Sequence, residues 1–321
     1  MAAAALLLGA LVTSGGALVS GCRSGTRPAP GNGAGGVIGS SAGGASSGRA
    51  NWPMPNPAAS GLPNPQRYDV TTAGVVQDLV TGLTWQRAAN TTGLFWPAAN
   101  TVCRELSLAG HQDWRVPSLL ELVSLVDFTR TDPAIDNTVF PAPVGGTVWT
   151  STPVFASPGE YWYVSFNNGF TYQGHGGQLA INLRCVRGAA PDPVGARYSL
   201  QTSDVSDVSD VVLDHGTRLT WQRAAAPTTL SWADAAQYCR NLTLSGAGWR
   251  LPSMKELQTL LDLGRQAPAI DPAAFPAAPT EQYWSSSLLA GSSTDAWSVS
   301  FRVGAASPFP RDSINWVRCV R

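Results

Sequence analysis

Five cysteines are the residues of this chain whose chemistry the sequence constrains best: Cys22, Cys103, Cys185, Cys239 and Cys319. Cys22 directly follows an apolar N-terminal segment, and the other four fall at matching places in two similar halves of the sequence. Disulfides persist in exported proteins. We therefore predict the bridges Cys103–Cys185 and Cys239–Cys319. Metal ligation is the weaker alternative, because the sequence has no Cys-x-x-Cys and no neighbouring pair of histidines.

Residues suited to nucleophilic or acid–base catalysis are scarce. The three histidines, His111, His175 and His215, lie in unrelated sequence contexts, and none has a counterpart in the other half. Cysteines that are paired cannot act as nucleophiles, and no glycine-rich phosphate loop follows a predicted strand. We predict that the protein is not an enzyme and has no cofactor, with calcium as the one alternative.

The calcium alternative depends on four carboxylates that recur every three or four residues, Asp204, Asp207, Asp210 and Asp214. Calcium prefers several carboxylate or carbonyl oxygens as ligands. No EF-hand loop or glycine-rich calcium repeat surrounds these aspartates, so a solvated acidic loop is the favoured interpretation.

Aromatic residues are the remaining candidates for ligand contact. Of the twelve tryptophans, five positions recur in both halves and are therefore predicted to be core. Positions without such a match can serve a ligand, because aromatic rings stack on sugar rings or anchor a protein partner; ordinary packing is the alternative. The candidate ligand-binding residues are Asp113, Tyr163, Phe170, Tyr172 and Trp316.

The elements that must position these residues are encoded twice. Trp-Arg-Val-Pro-Ser-Leu-Leu-Glu-Leu at 114–122 returns as Trp-Arg-Leu-Pro-Ser-Met-Lys-Glu-Leu at 249–257. Serine three residues before glutamate is a capping box, which starts a helix at a defined residue. We interpret the stretch as structural. Its shared residues are Trp114, Arg115, Pro117, Ser118 and Glu121, and Trp249, Arg250, Pro252, Ser253 and Glu256.

Each half is predicted to be an α+β domain. An amphipathic helix carries the first cysteine of each pair, the capping-box helix follows, and short β-type runs surround them, with Asn167-Asn168-Gly169 as a hairpin turn. This gives two helices and a small, mostly antiparallel sheet per domain, with one disulfide. The domains are 66–188 (repeat 1) and 196–321 (repeat 2).

Arg187 and Arg321 close the two repeats, each two residues after a cysteine of a predicted strand. Alternation along that strand predicts that both side chains point inward, and a buried arginine needs a carboxylate. The candidate partners recur in step with the arginines. They are Glu121 and Asp127 in repeat 1, and Glu256 and Asp262 in repeat 2.

The N-terminal residues predict export and anchoring. Residues 1–21 are an apolar segment running into small residues, which is typical of a signal peptide. The ending Val-Ser-Gly-Cys resembles a bacterial lipobox, which implies cleavage before Cys22 and lipidation of its thiol. No Lys or Arg precedes the apolar segment, and an ordinary signal peptide is the alternative. Residues 22–65 are rich in Gly, Ser, Ala and Pro, which predicts a flexible tether.

The order of the motifs resembles a known family. Thr-Gly-Leu-Thr-Trp-Gln-Arg, Trp-x-x-Ala-x-x-x-Cys, Asp-Trp-Arg-Val-Pro-Ser-x-x-Glu-Leu, Pro-Ala-Ile-Asp and Val-Arg-Cys-Val-Arg follow one another as in the Lcl C-terminal domain family of collagen-like bacterial adhesins. The cysteine-bearing helix bridged to a C-terminal strand also resembles C-type lectin-like domains, which implies that fold. Formylglycine-generating oxidoreductases share the fold but depend on reactive cysteines or a metal.

These observations together predict a lipid-anchored protein of the bacterial outer membrane or cell surface. Its two lectin-like domains are expected to bind an extracellular glycan or protein and to contact the membrane only through the lipid. The 21 basic and 21 acidic residues balance, which argues against a nucleic-acid partner and against strongly anionic glycans. A structural role in the cell envelope without a specific ligand is the main alternative.

Overall fold

The computed structural model describes residues 49–50, 52–141, 146–188, 197–201 and 211–321. The predicted signal peptide 1–21, the lipidation site Cys22 and most of the predicted tether lie outside these residues. All described residues belong to one unit that spans 44–321. Within the described ranges, none of the helices has the length and apolar character needed to cross a bilayer.

Repeat 1 consists of two helices and two small sheets. Its strands are β1 (Tyr68–Asp69), β2 (Val75–Asp78), β3 (Thr84–Gln86), β4 (Asn90–Leu94), β5 (Thr147–Pro153), β6 (Glu160–Ser165), β7 (Thr171–His175), β8 (Ile181–Leu183) and β9 (Val186–Arg187), and its helices are α1 (Trp96–Glu105) and α2 (Leu119–Ser124). One sheet has the order β1-β2-β3-β9 and the other β4-β8-β5-β6-β7. All pairings are antiparallel except that between β5 and β8.

Repeat 2 has the same architecture with fewer strands among the described residues. Its elements are β10 (Tyr198–Gln201), β11 (Val211–Asp214), β12 (Leu219–Gln222), α3 (Trp232–Asn241), α4 (Met254–Gln258), β13 (Gln282–Leu288), β14 (Asp295–Ser300) and β15 (Ala306–Pro310). Isolated bridges, such as the parallel one between Tyr283 and Trp316, stand where repeat 1 has full strands. The prediction of two α+β repeats with two helices each is confirmed.

The capping boxes begin α2 and α4 as predicted. In repeat 1 the Ser118 hydroxyl accepts from the Glu121 amide at 3.3 Å, and the Glu121 carboxylate accepts from the Ser118 amide at 2.7 Å. Ser253 and Glu256 repeat both bonds in α4. Each pair satisfies two amides that a helix start would otherwise leave without a partner.

Both predicted disulfides are present, Cys103–Cys185 and Cys239–Cys319. Each joins the buried face of the first helix of its repeat to the C-terminal segment of the same repeat. Because each bond closes a loop of about eighty residues, it removes much conformational freedom from the unfolded chain.

The prediction that Arg187 and Arg321 point inward toward Glu121, Glu256, Asp127 or Asp262 is wrong. The guanidinium of Arg187 pairs instead with Asp113, at 2.7 Å between Nε and Oδ1, and Arg321 donates to the carbonyl of Ser245. The strand is interrupted, since β8 ends at Leu183 and β9 begins at Val186, so alternation does not carry across the cysteine.

The buried arginines near the C-terminal cysteines are instead Arg184 and Arg318, one residue before each of these cysteines. Each donates to two consecutive backbone carbonyls and lies over a phenylalanine ring, Phe140 or Phe275, at 4.9 and 4.6 Å from the centroid. Carbonyl dipoles and the ring face replace the carboxylate that we expected.

One hydrophobic core joins the two repeats. Phe128 and Phe170 of repeat 1 meet Trp297 of repeat 2 edge to face, at 5.2 and 4.7 Å between ring centroids. Smaller clusters surround each disulfide helix separately. The helices α2 and α4 contact each other at the same boundary. The two repeats are therefore packed as one body rather than as separate domains on a linker.

The prediction that residues 22–65 form a flexible tether is wrong for the last part of this range. Residues 52–65, called the strap below, pack into the shared core, with Trp52 5% and Met54 1% exposed. The side chain of Asn56 accepts from the Ser253 hydroxyl at 2.9 Å, and Arg49, just before the strap, pairs with Asp262. Proline and glycine content predicted flexibility, but two large apolar side chains are sufficient to dock the segment.

We expect Trp52→Ala to lower the free energy of unfolding by about 3–5 kcal/mol, because it removes a large side chain from the shared core. Chemical denaturation of the disulfide-intact protein measures this change. Ile314→Ala is the control, since Ile314 is 65% exposed and its loss should change stability by about 0.5 kcal/mol or less. Equal behaviour of the two variants would show that the strap does not contribute to the fold.

Candidate functional site

Three of the predicted ligand-binding residues lie together on the β6–β7 hairpin. Tyr163 is opposite Tyr172 in the strand register, and their rings stack at 5.4 Å between centroids. Phe170 stacks on Tyr172 at 6.1 Å. We call Tyr163, Phe170 and Tyr172 the aromatic group. Tyr172 is 40% exposed, so the group presents ring surface to solvent.

Repeat 2 lacks this group although it has the same strands. In repeat 1, Tyr163 pairs with Trp149 across the neighbouring strands. In repeat 2, Ser298 pairs with the equivalent tryptophan, Trp284. Ser298 in turn faces Ser307 on the neighbouring strand. Since repeat 2 forms the same hairpin with two serines, the hairpin itself does not require the tyrosine pair.

The members of the aromatic group differ in how far packing holds them. Phe170 contacts Trp297 of repeat 2 and belongs to the repeat boundary. Tyr163 rests edge to face on the buried Trp149 at 5.8 Å, while Tyr172 has the larger exposed surface. Burial and the neighbouring Tyr172 raise the pKa of Tyr163, so its phenol stays protonated and can donate a hydrogen bond. Phe170 and Trp149 thus hold the two tyrosine rings in place.

The other two predicted ligand-binding residues do not join this group in any described contact. Asp113 forms its ion pair with Arg187, which lowers the pKa of the Asp113 carboxyl, and its side chain stays 59% exposed. Trp316 is half-buried against the shared core and bonds through its backbone to Gln282 and Trp284. These contacts within the protein account for the positions of both residues without a ligand.

The calcium candidates find no support in the part of the chain that the structure describes. Asp204, Asp207 and Asp210 lie outside it. Asp214 is fully buried and forms an ion pair with Arg197 at 3.0 Å, so its carboxylate already has a cationic partner. No cluster of three or more potential metal ligands occurs among the described residues.

A second site, which the sequence did not predict, surrounds Lys255. This residue is the only lysine of the chain, it stands in α4 where α2 has Leu120, and it is 1% exposed. Its Nζ donates to the carbonyls of Ser124 in repeat 1 and Pro55 in the strap, both at 2.8 Å. One side chain therefore links repeat 2 to the other two parts of the shared core.

Lys255 supplies to repeat 1 a cation that repeat 2 provides for itself. In repeat 2, Arg197 pairs with Asp214 and donates to the carbonyl of Thr259 at the end of α4. The equivalent carbonyl at the end of α2 is that of Ser124, and it accepts the hydrogen bond from Lys255. The counterpart of Arg197 in repeat 1 is Arg67, which is exposed. Each arginine directly precedes a tyrosine that pairs across the strands with the aspartate of its repeat, Tyr198 with Asp214 and Tyr68 with Asp78.

Burial sets the charge of this centre. It lowers the pKa of Lys255 to about 7, against the opposing effect of the nearby carboxylates of Asp127 and Asp78. Burial also raises the pKa of Asp78, which is the counterpart of Asp214. The Oδ2 of Asp78 has no hydrogen-bond partner within the described residues. The lysine is thus partly protonated near neutral pH. The sequence signal that could have found it is a single lysine among twenty arginines, at a position where the other repeat is apolar.

Comparison with known proteins identifies one family. The family model described as Lcl C-terminal domain matches residues 74–187 and 210–321, so both repeats are covered. No curated protein matches the chain. The boundaries of the two matches follow the strands β2 to β9 and the stretch from just before β11 to the C-terminal residue.

Lys255 should make stability depend on pH. Its pKa is about 7 when folded and about 10.4 when unfolded. Between these values the unfolded chain binds more protons, so stability rises with pH. We expect the free energy of unfolding to rise by on the order of 1–2 kcal/mol between pH 7 and 8.5. Denaturation of wild type and Lys255→Met at both pH values measures this. A rise that persists unchanged in Lys255→Met would assign it to other groups.

Proposed function

Because the chain belongs to the Lcl C-terminal domain family through both of its repeats, we propose that it is a non-catalytic binding protein that recognises an extracellular carbohydrate through the aromatic group of repeat 1. Tyr163 and Tyr172 would stack on the apolar face of a sugar ring, and their hydroxyls would bond its hydroxyl groups. Phe170 holds the pair against repeat 2. The lectin-like fold and the role in adhesion are parts of this proposal.

The observation that carries the proposal is the contrast between the two hairpins. A contiguous patch of aromatic rings that reaches the surface is typical of an interaction site, and here Tyr172 is 40% exposed with the partly exposed Tyr163 stacked beside it. Ser298 and Ser307 occupy the same register in repeat 2 without loss of the strand pairing. Function therefore explains Tyr163 and Tyr172 better than packing does.

The charge balance favours a neutral glycan over an anionic one. Residues 61–188, which include the aromatic group, contain seven arginines and nine acidic residues. Among the described residues, none of the contacts between an arginine and an aromatic ring involves the aromatic group. A sulfated or otherwise polyanionic glycan would need several cations near the rings.

We further propose that the protein is attached to the bacterial cell envelope through a lipid on Cys22. The lipobox-like sequence before this residue supports the proposal. The part of the tether between Cys22 and Arg49 would then separate the packed repeats from the membrane. A structural role in the envelope without a specific ligand is the second candidate function, and it is favoured by the packing of both repeats and the strap into one body.

We expect Tyr163→Ala and Tyr172→Ala each to weaken glycan binding about ten-fold or more, because each removes one stacking surface. A glycan array with the oxidised protein identifies the sugar, and calorimetry then compares the variants. Phe155→Ala is the control, since Phe155 is 44% exposed but lies outside the aromatic group. Binding that survives both tyrosine substitutions, or that the control reduces equally, would contradict the proposed site. A blank array would favour the structural role.

Lipid attachment at Cys22 predicts that a clickable palmitate analogue labels the protein in bacterial cells. Cys22→Ala should abolish the label and release the protein from the membrane fraction, because a thioether-linked lipid has no other acceptor at this position. Ser40→Ala is the control, because it changes the same N-terminal segment and keeps both the acceptor and the two disulfides. Labelling that persists in Cys22→Ala would rule out this anchor.

A further inference from the structure

A cleft of about 460 Å³ opens where the strap, repeat 1 and repeat 2 meet. Leu62 of the strap, Phe128 of repeat 1 and Leu288 of repeat 2 give it an apolar lining, and Lys255 lies against it as well. Cavities of 300–1,000 Å³ are the usual size of small-molecule sites. At the roughly 30 Å³ that a water molecule occupies in the liquid, the space suits on the order of ten to fifteen non-hydrogen atoms.

The lysine has bonding capacity that the protein does not use. A protonated amine has three N–H donors. Two of them are directed to the carbonyls of Pro55 and Ser124, and no third acceptor for Lys255 occurs among the described residues. The hydroxyls of Ser286 and Thr129 also line the cleft and can bond a ligand beside the amine. The cleft therefore combines one buried cation with an apolar wall.

The surrounding charge limits the ligand to one negative charge. Asp127 and Asp78 are the carboxylates that act on Lys255, and among the described residues that line the cleft there is no arginine and no second lysine. Burial raises the pKa of Asp78, which favours its uncharged form and weakens its repulsion of an anionic ligand. The single ammonium group can then hydrogen-bond one carboxylate, but it cannot balance a phosphate dianion or a polysulfate.

We propose that this cleft binds a small amphiphilic carboxylate, such as a medium-chain fatty acid, with its carboxylate on the Nζ of Lys255 and its chain against Phe128, Leu62 and Leu288. The strap closes one side of the site. The corresponding region of repeat 1 differs, since Leu120 and Phe155 stand there in place of Lys255 and Ala290. This site is separate from the aromatic group and does not depend on glycan binding.

Binding of a carboxylate should change the protonation of the lysine. Burial holds the pKa of Lys255 near 7, and an adjacent negative charge favours the ammonium form. Because the chain has one lysine, protein labelled with [¹³C]lysine gives one set of lysine side-chain resonances, and their pH titration reports Lys255 alone. Sodium octanoate is the probe, and octan-1-ol is the matched probe with the same chain and no charge.

We expect octanoate to bind at least ten-fold more tightly than octan-1-ol at pH 6.5 and to raise the titration midpoint of Lys255 by about one pH unit or more. Ala290→Trp should abolish binding of both probes because it fills the cleft, whereas Phe155→Trp, its counterpart in repeat 1, should leave binding unchanged. Lys255→Met should remove the preference for octanoate.

Equal affinity for the two probes, or an octanoate complex in which the lysine resonances do not move, would overturn the proposal. So would octanoate binding that Ala290→Trp leaves intact, because the ligand would then lie elsewhere. If Lys255→Met fails to fold, the comparison of the two probes on the wild type and on Ala290→Trp still decides the question.

Discussion

One buried carboxylate holds each repeat together. Glu121 is 3% exposed in its side chain, accepts two bonds from Arg115 at 2.6 and 2.7 Å, and completes the capping box by accepting from the Ser118 amide. Arg115 also bridges through its backbone to Val186, directly after the disulfide. The start of α2, the strand pairing and the crosslinked segment therefore meet at a single side chain. Such a charge is stable only while all of these partners remain.

The conservation of this arrangement in Glu256 and Arg250 explains why the motif appears twice, and it also explains why the motif carries no specificity. Both repeats need it for the same structural reason. What distinguishes the repeats lies where this constraint is absent: on the β6–β7 hairpin, and at the boundary where α2 meets α4. Tyr163 and Tyr172 belong to the first region and Lys255 to the second.

Duplication has been followed by mutual dependence. A lone repeat 1 would lack the cation that Lys255 brings to the end of α2, and it would expose the rings that pack on Trp297. The strap adds a third contributor, since Trp52 and Met54 complete the core from outside both repeats. The single lysine thus has two consequences. It joins three parts of the chain, and it leaves an amine of lowered pKa beside a cleft.

The sequence by itself determined the features that depend on near neighbours and on matched copies. Serine three residues before glutamate specified the helix starts, Asn167-Asn168-Gly169 specified the hairpin, and the duplicated cysteines specified the disulfides. Only the tertiary structure decided the packing of the strap, the inward direction of Arg184 and Arg318, and the place of Lys255. The reason is distance along the chain. Lys255 is 200 residues from Pro55 and 131 from Ser124, and no local periodicity encodes such contacts.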